Sequence, residues 1–247
     1  PRRPSRNTHH RLQHKPRPIP PPPTHTTKAS RGRLDQRTQP RSTHPIRLGS
    51  CLIPLDTFRD APDVVAHDYG GTVCLRAHLL HGMAVSSLAL VDVVALRPWG
   101  SPLFRLVANH ADVFAALPPN LHEALLREYI SGASGPGLGS DVLDQLVAPW
   151  IGDGQAAFYR QIAQADEQFT AEAERHYGHI SVPTLIVWGT ADDWIPIDRA
   201  YRLASLIPGS SLKIIDGAGH LVQEDRPTDL NVILRQWLDS RPSSRHI

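Results

Sequence analysis

Residues 88–96 read L-A-L-V-D-V-V-A-L, a run of apolar residues interrupted only by Asp92. It is too short to cross a membrane and too continuous for a strand with one wet face. That pattern belongs to a strand buried on both faces. Residues 62–67, P-D-V-V-A-H, and 183–188, P-T-L-I-V-W, are further apolar runs suited to buried strands, and 212–215, L-K-I-I, reads as a short fourth strand. Helical spacing fills the intervals 71–80, 198–207 (stopped by Pro208-Gly209) and 229–238. Doubly buried strands alternating with helices predict an α/β fold built on a parallel sheet with both faces covered.

The interval from about 98 to 180 breaks this alternation. It holds helical segments around 103–117, 121–130, 141–148, 155–163 and 167–177. Residues 131–140, S-G-A-S-G-P-G-L-G-S, read as a flexible loop. An all-helical insertion between two sheet strands is expected to form a cap.

Residues 1–50 are of another kind. They carry ten prolines, five histidines, no aromatic residue, and 12 basic residues against one acid, Asp35, a formal +11. The other 14 basic and 23 acidic residues leave the remainder at −9. Such a segment buries too little apolar surface to offset its ordering entropy, so residues 1–55 are expected to be disordered. Residues 16–23 favour polyproline II. Three roles compete: a basic arm, a ligand for a proline-recognising domain, or a non-functional extension or reading-frame artefact. No apolar stretch follows the basic residues, so the segment is no secretory signal, and a cytoplasmic location is the expectation. No run reaches membrane length. The acidic remainder excludes a uniformly basic nucleic-acid-binding domain, so a nucleic-acid partner is not expected. Two cysteines, Cys51 and Cys74, exclude a disulfide scaffold and a cysteine-only zinc site, and the histidines show no metal-ligand spacing.

The chemistry concentrates at Ala66-His67-Asp68-Tyr69-Gly70-Gly71, between a strand and a helix. Small residues at 66, 70 and 71 frame the central Asp68. A sharp strand-to-helix turn needs that frame, lifts its central side chain above the strand end, and aims the next backbone N–H at the same space. Two further motifs follow strands: Gly189-Thr190-Ala191-Asp192-Asp193-Trp194-Ile195-Pro196, and Gly217-Ala218-Gly219-His220. Nucleophile, acid and histidine stand in the chain order of α/β-hydrolases.

Over roughly residues 62–238 the chain resembles the C-terminal two-thirds of an α/β-hydrolase, in the branch with H-D-x-G-G elbows that includes haloalkane dehalogenases and epoxide hydrolases. The resemblance implies Asp68 as nucleophile, Asp192 as acid and His220 as base. It also implies a pocket between cap and sheet, within a domain spanning 56–247. An ionised carboxylate attacks without a base, so an alkyl-enzyme ester could form on an alkyl halide or epoxide. His220 would then activate water, Asp192 would orient the imidazole, and the Tyr69 N–H would supply one oxyanion donor. The partners are a small hydrophobic substrate and water, and no cofactor or metal is implied. An ester or lactone hydrolase with a non-covalent Asp68 is the alternative, as is an inactive truncated fragment.

Asp193 and Asp92 are rival acids. His67 reads as a packed neighbour of the site. Tyr129, Tyr159 and Tyr177 are available as cap acids, with Tyr159 carried forward, and Trp99 and Trp150 as pocket residues or halide donors. The common tryptophan after the nucleophile is Tyr69 here. The resemblance also implies strands and an H-G-x-P loop before the elbow strand, and neither is found. The elbow strand is therefore expected to expose an apolar edge at 64–66, and the chain to be poorly soluble or inactive.

Overall fold

The computed structural model describes residues 61–240. The Pro-rich segment, its expected disorder and the expected boundary at 55/56 lie outside these residues.

Four parallel strands form one sheet in the order β1-β2-β3-β4: β1 Asp63–Asp68, β2 Ser87–Val93, β3 Thr184–Gly189 and β4 Ser211–Ile215. Every residue of β2 and β3 is buried, which is why their sequences do not alternate. On one face Leu88, Leu90, Ile186 and Trp188 pack with Leu75 of α1 (Tyr69–His81) and Leu203 of α8 (Asp198–Leu206). On the other, Ala89, Val91, Leu185 and Val187 pack with Ile233, Leu234 and Trp237 of α10 (Pro227–Asp239). Each fully buried Leu, Ile or Val adds about 1.5–3 kcal/mol to this sandwich.

β2 stops at Val93, short of the 88–96 run. His67 pairs with Val91 and Asp68 with Val93, so Asp92 is the extra residue of a bulge, at φ 41°. The chain then leaves the sheet but stays buried through Leu96.

Between β2 and β3 lie six helices: α2 Pro102–Asn109, α3 Ala111–Ala115, α4 Pro119–Ser131, α5 Ser140–Val147, α6 Gln155–Ala163 and α7 Glu167–Glu174. The expected helix over 103–117 is split at His110, and the one over 167–177 ends at Glu174 before a 3-10 turn at Tyr177–His179. The insertion has a core of its own, around Val107, Leu126, Val147, Phe158, Tyr159 and Ile162. Its end is fastened to α1. Arg76 donates to the Phe169 carbonyl at 2.9 Å, pairs with Glu172 at 2.5 Å and lies over the Phe169 ring. A short helix, α9 (Val222–Asp225), follows His220 and was not expected from the sequence.

Residues 131–140 are not the free loop their composition predicts. Leu221 N–H donates to the Ala133 carbonyl at 3.1 Å, and Ser134 and Gly135 both donate to Asp225. Among the described residues β1 is an end strand. Val65, on the Ala89 face by register, is 52% exposed. No helix among the described residues is long and apolar enough to cross a membrane.

Candidate active site

A sharp strand-to-helix turn forms at Asp68. Asp68 closes β1 at φ 50°, a left-handed value that a non-glycine residue holds only when its surroundings impose it. A Cβ on Gly71 would run into the Val93 side chain, so glycine lets α1 lie against β2. The Thr72 hydroxyl, donating to the Val94 carbonyl, seals that contact. Gly70 differs from expectation: it is exposed, with open space where a Cβ would sit.

Asp192 follows β3 and its side chain is fully buried. Its Oδ1 accepts from the backbone N–H groups of Trp194 and Ile195, each at 2.8 Å. That leaves Oδ2 for His220, whose Nδ1 donates to it at 2.9 Å. The opposite ring nitrogen, Nε2, has no other partner and faces Asp68 Oδ1 at 3.5 Å, an ion-pair contact at the outer limit of hydrogen bonding. Of the rival acids, Asp193 is exposed, and Asp92 accepts from Gly189 N–H at 2.9 Å rather than from His220.

The electrostatics follow from one imidazole between two carboxylates. Burial opposes a charge on His220, but hydrogen bonding to Asp192 and then Asp68 outweighs it and pushes the pKa up to about 10. Burial would likewise raise Asp68, yet the His220 hydrogen bond and charge hold it below the usual carboxylate range. The Tyr69 backbone N–H adds to that lowering.

His67 packs against His220, with ring centres 4.8 Å apart, and its Nε2 donates to the His220 carbonyl at 2.8 Å. Burial, and then the His220 charge, lower its pKa, so it holds the loop as a neutral donor. The Tyr69 ring packs edge-on against Trp99. The Trp99 indole N–H is spent on Thr170 Oγ1 at 2.9 Å, although Trp99 lines a cavity with Trp188, Trp194 and Ile195. It is therefore not a free halide donor.

Two expected pocket residues are not brought to the site. Tyr159 is fully buried in the insertion's core. The His122 Nε2 donates to the Trp150 carbonyl at 2.9 Å, so its Nδ1 is the acceptor and the Tyr159 hydroxyl donates to it at 2.8 Å. Trp150 packs on Phe158 in the same core. Tyr177 is also committed, donating to the Ala95 carbonyl at 2.6 Å.

The buried Tyr69 hydroxyl, beside the elbow, lacks a partner among the described residues. Of the three tyrosines expected on the cap, Tyr129 remains. No group among the described residues hydrogen-bonds its hydroxyl. Burial, and then the nearby Asp68 charge, raise its pKa. Its ring lies 4.5 Å from Trp194, which stacks on His220 at 5.0 Å. Trp194 was missed in the sequence. The available signal was its place two residues after Asp192, on the turn that Asp192 itself caps. No group of three or more His, Cys, Asp or Glu side chains among the described residues could hold a metal ion.

Residues 17–231 match the model of the Alpha/beta hydrolase family. The crystal structure of an alpha/beta hydrolase fold protein from Burkholderia ambifaria is 46% identical, with a TM-score of 0.69 over 72% of this chain and 66% of that one. Epoxide hydrolase A of Mycobacterium tuberculosis is 28% identical over 220 residues, 70% of this chain and 67% of the relative. An uncharacterized protein of the same organism is 26% identical over 189 residues, and there the chain spans only 55% of its relative's length.

Proposed function

This chain belongs to the alpha/beta hydrolase family, and on that premise we propose a hydrolase with Asp68 as nucleophile, His220 as base and Asp192 as its orienting acid. One observation carries the reading. A carboxylate on a left-handed elbow faces His220 Nε2 at 3.5 Å, while Nδ1 of that ring is held by Asp192 at 2.9 Å. The candidate substrates are small hydrophobic alkyl halides or epoxides, held between the sheet and the helical insertion acting as a cap. An epoxide hydrolase among the relatives supports that class.

The chemistry runs in two steps. An oxygen of Asp68 attacks the saturated carbon, and the carbon–halogen or carbon–oxygen bond breaks with its electron pair on the leaving atom. Resting His220 is an imidazolium because two carboxylates flank it. Esterification removes the Asp68 charge, so the ring loses the Asp68 share of what raised its pKa and releases its proton to solvent. Neutral Nε2 then takes a proton from water, whose oxygen attacks the ester carbonyl with the Tyr69 N–H beside the developing oxyanion. Collapse breaks the bond between the Asp68 carboxyl carbon and the alkyl oxygen, His220 returns its proton to that oxygen to release the alcohol, and one water oxygen stays in Asp68.

The free Tyr129 hydroxyl favours the epoxide form, in which it donates to the opening oxygen. The Trp194 indole N–H, with no partner among the described residues, is the donor left for a halide. Single turnover in oxygen-18 water is expected to put label in Asp68 and none in the alcohol. Label in the product alone would overturn the covalent reading. Asp68→Asn should lower turnover at least about a thousandfold. Tyr129→Phe should cut diol formation while sparing halide release.

A further inference from the structure

Asp225, at the end of α9, sits five residues beyond His220. Its Oδ2 accepts from Gly219 N–H at 2.7 Å and from Gly135 N–H at 2.9 Å, and its Oδ1 from the Ser134 hydroxyl at 2.5 Å. One carboxylate therefore bridges the residue before His220 and the segment that leaves α4. On the other side of His220, Leu221 N–H donates to Ala133. The backbones themselves touch. A Cβ on Gly219 would overlap Gly135 N and the Ala133 carbonyl, and one on Gly135 would meet Ala191 Cβ and the Gly217 carbonyl, each at 2.9 Å. The end of α4, the turn that presents Asp192 and the loop that presents His220 thus meet at one point. α4 carries Tyr129, whose ring reaches His220 through Trp194.

We infer that Asp225 is a positioning residue that couples the cap helix bearing Tyr129 to the loop bearing His220, so that neither is displaced without the other. Three hydrogen bonds on one carboxylate give the geometry direction as well as strength. Opening of the cap must then occur away from the α4 end. The inference rests on the reading of His220 as the base, but its test reads position rather than turnover.

The test uses the whole chain: amide exchange at Gly135 and Gly219 by NMR, and the pH titration of the His220 imidazole. Asp225→Ala should speed exchange at both glycines by about tenfold or more. It should also lower the His220 midpoint, as the ring loosens on Asp192; Asp225→Glu should restore part of that midpoint. Ser134→Ala removes the hydroxyl's bond to Asp225 and the one it accepts from Gly137 N–H, both on the cap side, and coupling requires that Gly219, on the loop side, still exchange several-fold faster. Unchanged Gly219 protection in Ser134→Ala, with loss confined to Gly135, would overturn the coupling, and it decides the matter even if Asp225→Ala does not fold. Coupled exchange, with His220→Ala turning over like the parent chain, would keep the coupling and remove His220 from the mechanism.

Discussion

Asp92 is held in a position that works against its own charge. Its backbone sits at φ 41° in a bulge, and its side chain is fully enclosed at the end of β2. Oδ1 is satisfied by Gly189 N–H, whereas the buried Oδ2 has no donor and faces Asp192, with His220 beyond. Burial first, and the Asp192 charge with it, push the pKa up to about 8. At pH 7 the folded protein therefore keeps a proton on Asp92 that the unfolded chain, with an ordinary carboxyl, has lost. The native state binds more protons between about pH 4 and pH 8, so this group's contribution to stability falls across that window, by at most about 1.4 kcal/mol per pH unit, and levels off above it. Asn keeps an acceptor for Gly189 and presents a neutral donor to Asp192. Asp92→Asn should accordingly be more stable than the parent at pH 7, with a gain that shrinks toward pH 4 and is constant above about pH 8. Urea unfolding at pH 4.5, 7 and 9 measures this; a gain independent of pH would mean that Asp92 is ionised in the fold.

At the scale of elements, the seating of α1 on β2 turns on two adjacent glycines with opposite needs. Gly71→Ala must displace the Val93 side chain or the helix, and should destabilise by about 1–3 kcal/mol. Gly70→Ala meets open space in the first turn of a helix and should stabilise by up to about 1 kcal/mol. Equal effects in urea unfolding would contradict the close approach at Gly71. The pair also shows what was legible beforehand. Continuous apolar runs announced β2 and β3 because burial on both faces removes alternation, and Asp68, Asp192 and His220 could be singled out as candidates because each stands at, or within five residues of, a strand's C-terminal end. The remaining site depends on contacts between distant residues. Tyr129 differs from Tyr159 and Tyr177 only because His122 and the Ala95 carbonyl occupy the other two hydroxyls. Trp194 matters through the direction in which one turn faces. Residues 131–140 have the composition of a free loop, yet a carboxylate some 90 residues away holds them.

For the whole molecule, the exposed flank of the sheet and the charge division make separable demands. Among the described residues β1 pairs only with β2, and Val65 stands 52% exposed on a face otherwise covered by α10. An apolar strand edge is a template for pairing with another chain. The +11 of residues 1–50 and the −9 of the remainder offer a second route to association between copies, through opposite charges. Salt separates the two. Charge attraction weakens as the screening length shortens from about 10 Å at 0.1 M to about 3 Å at 1 M, whereas apolar edge pairing persists. Sedimentation at tens of micromolar should therefore show association that survives 1 M salt and that Val65→Lys shifts toward the monomer. Association abolished by salt and indifferent to Val65→Lys would assign it to charge, and a monomeric parent chain would mean that the β1 edge is already covered.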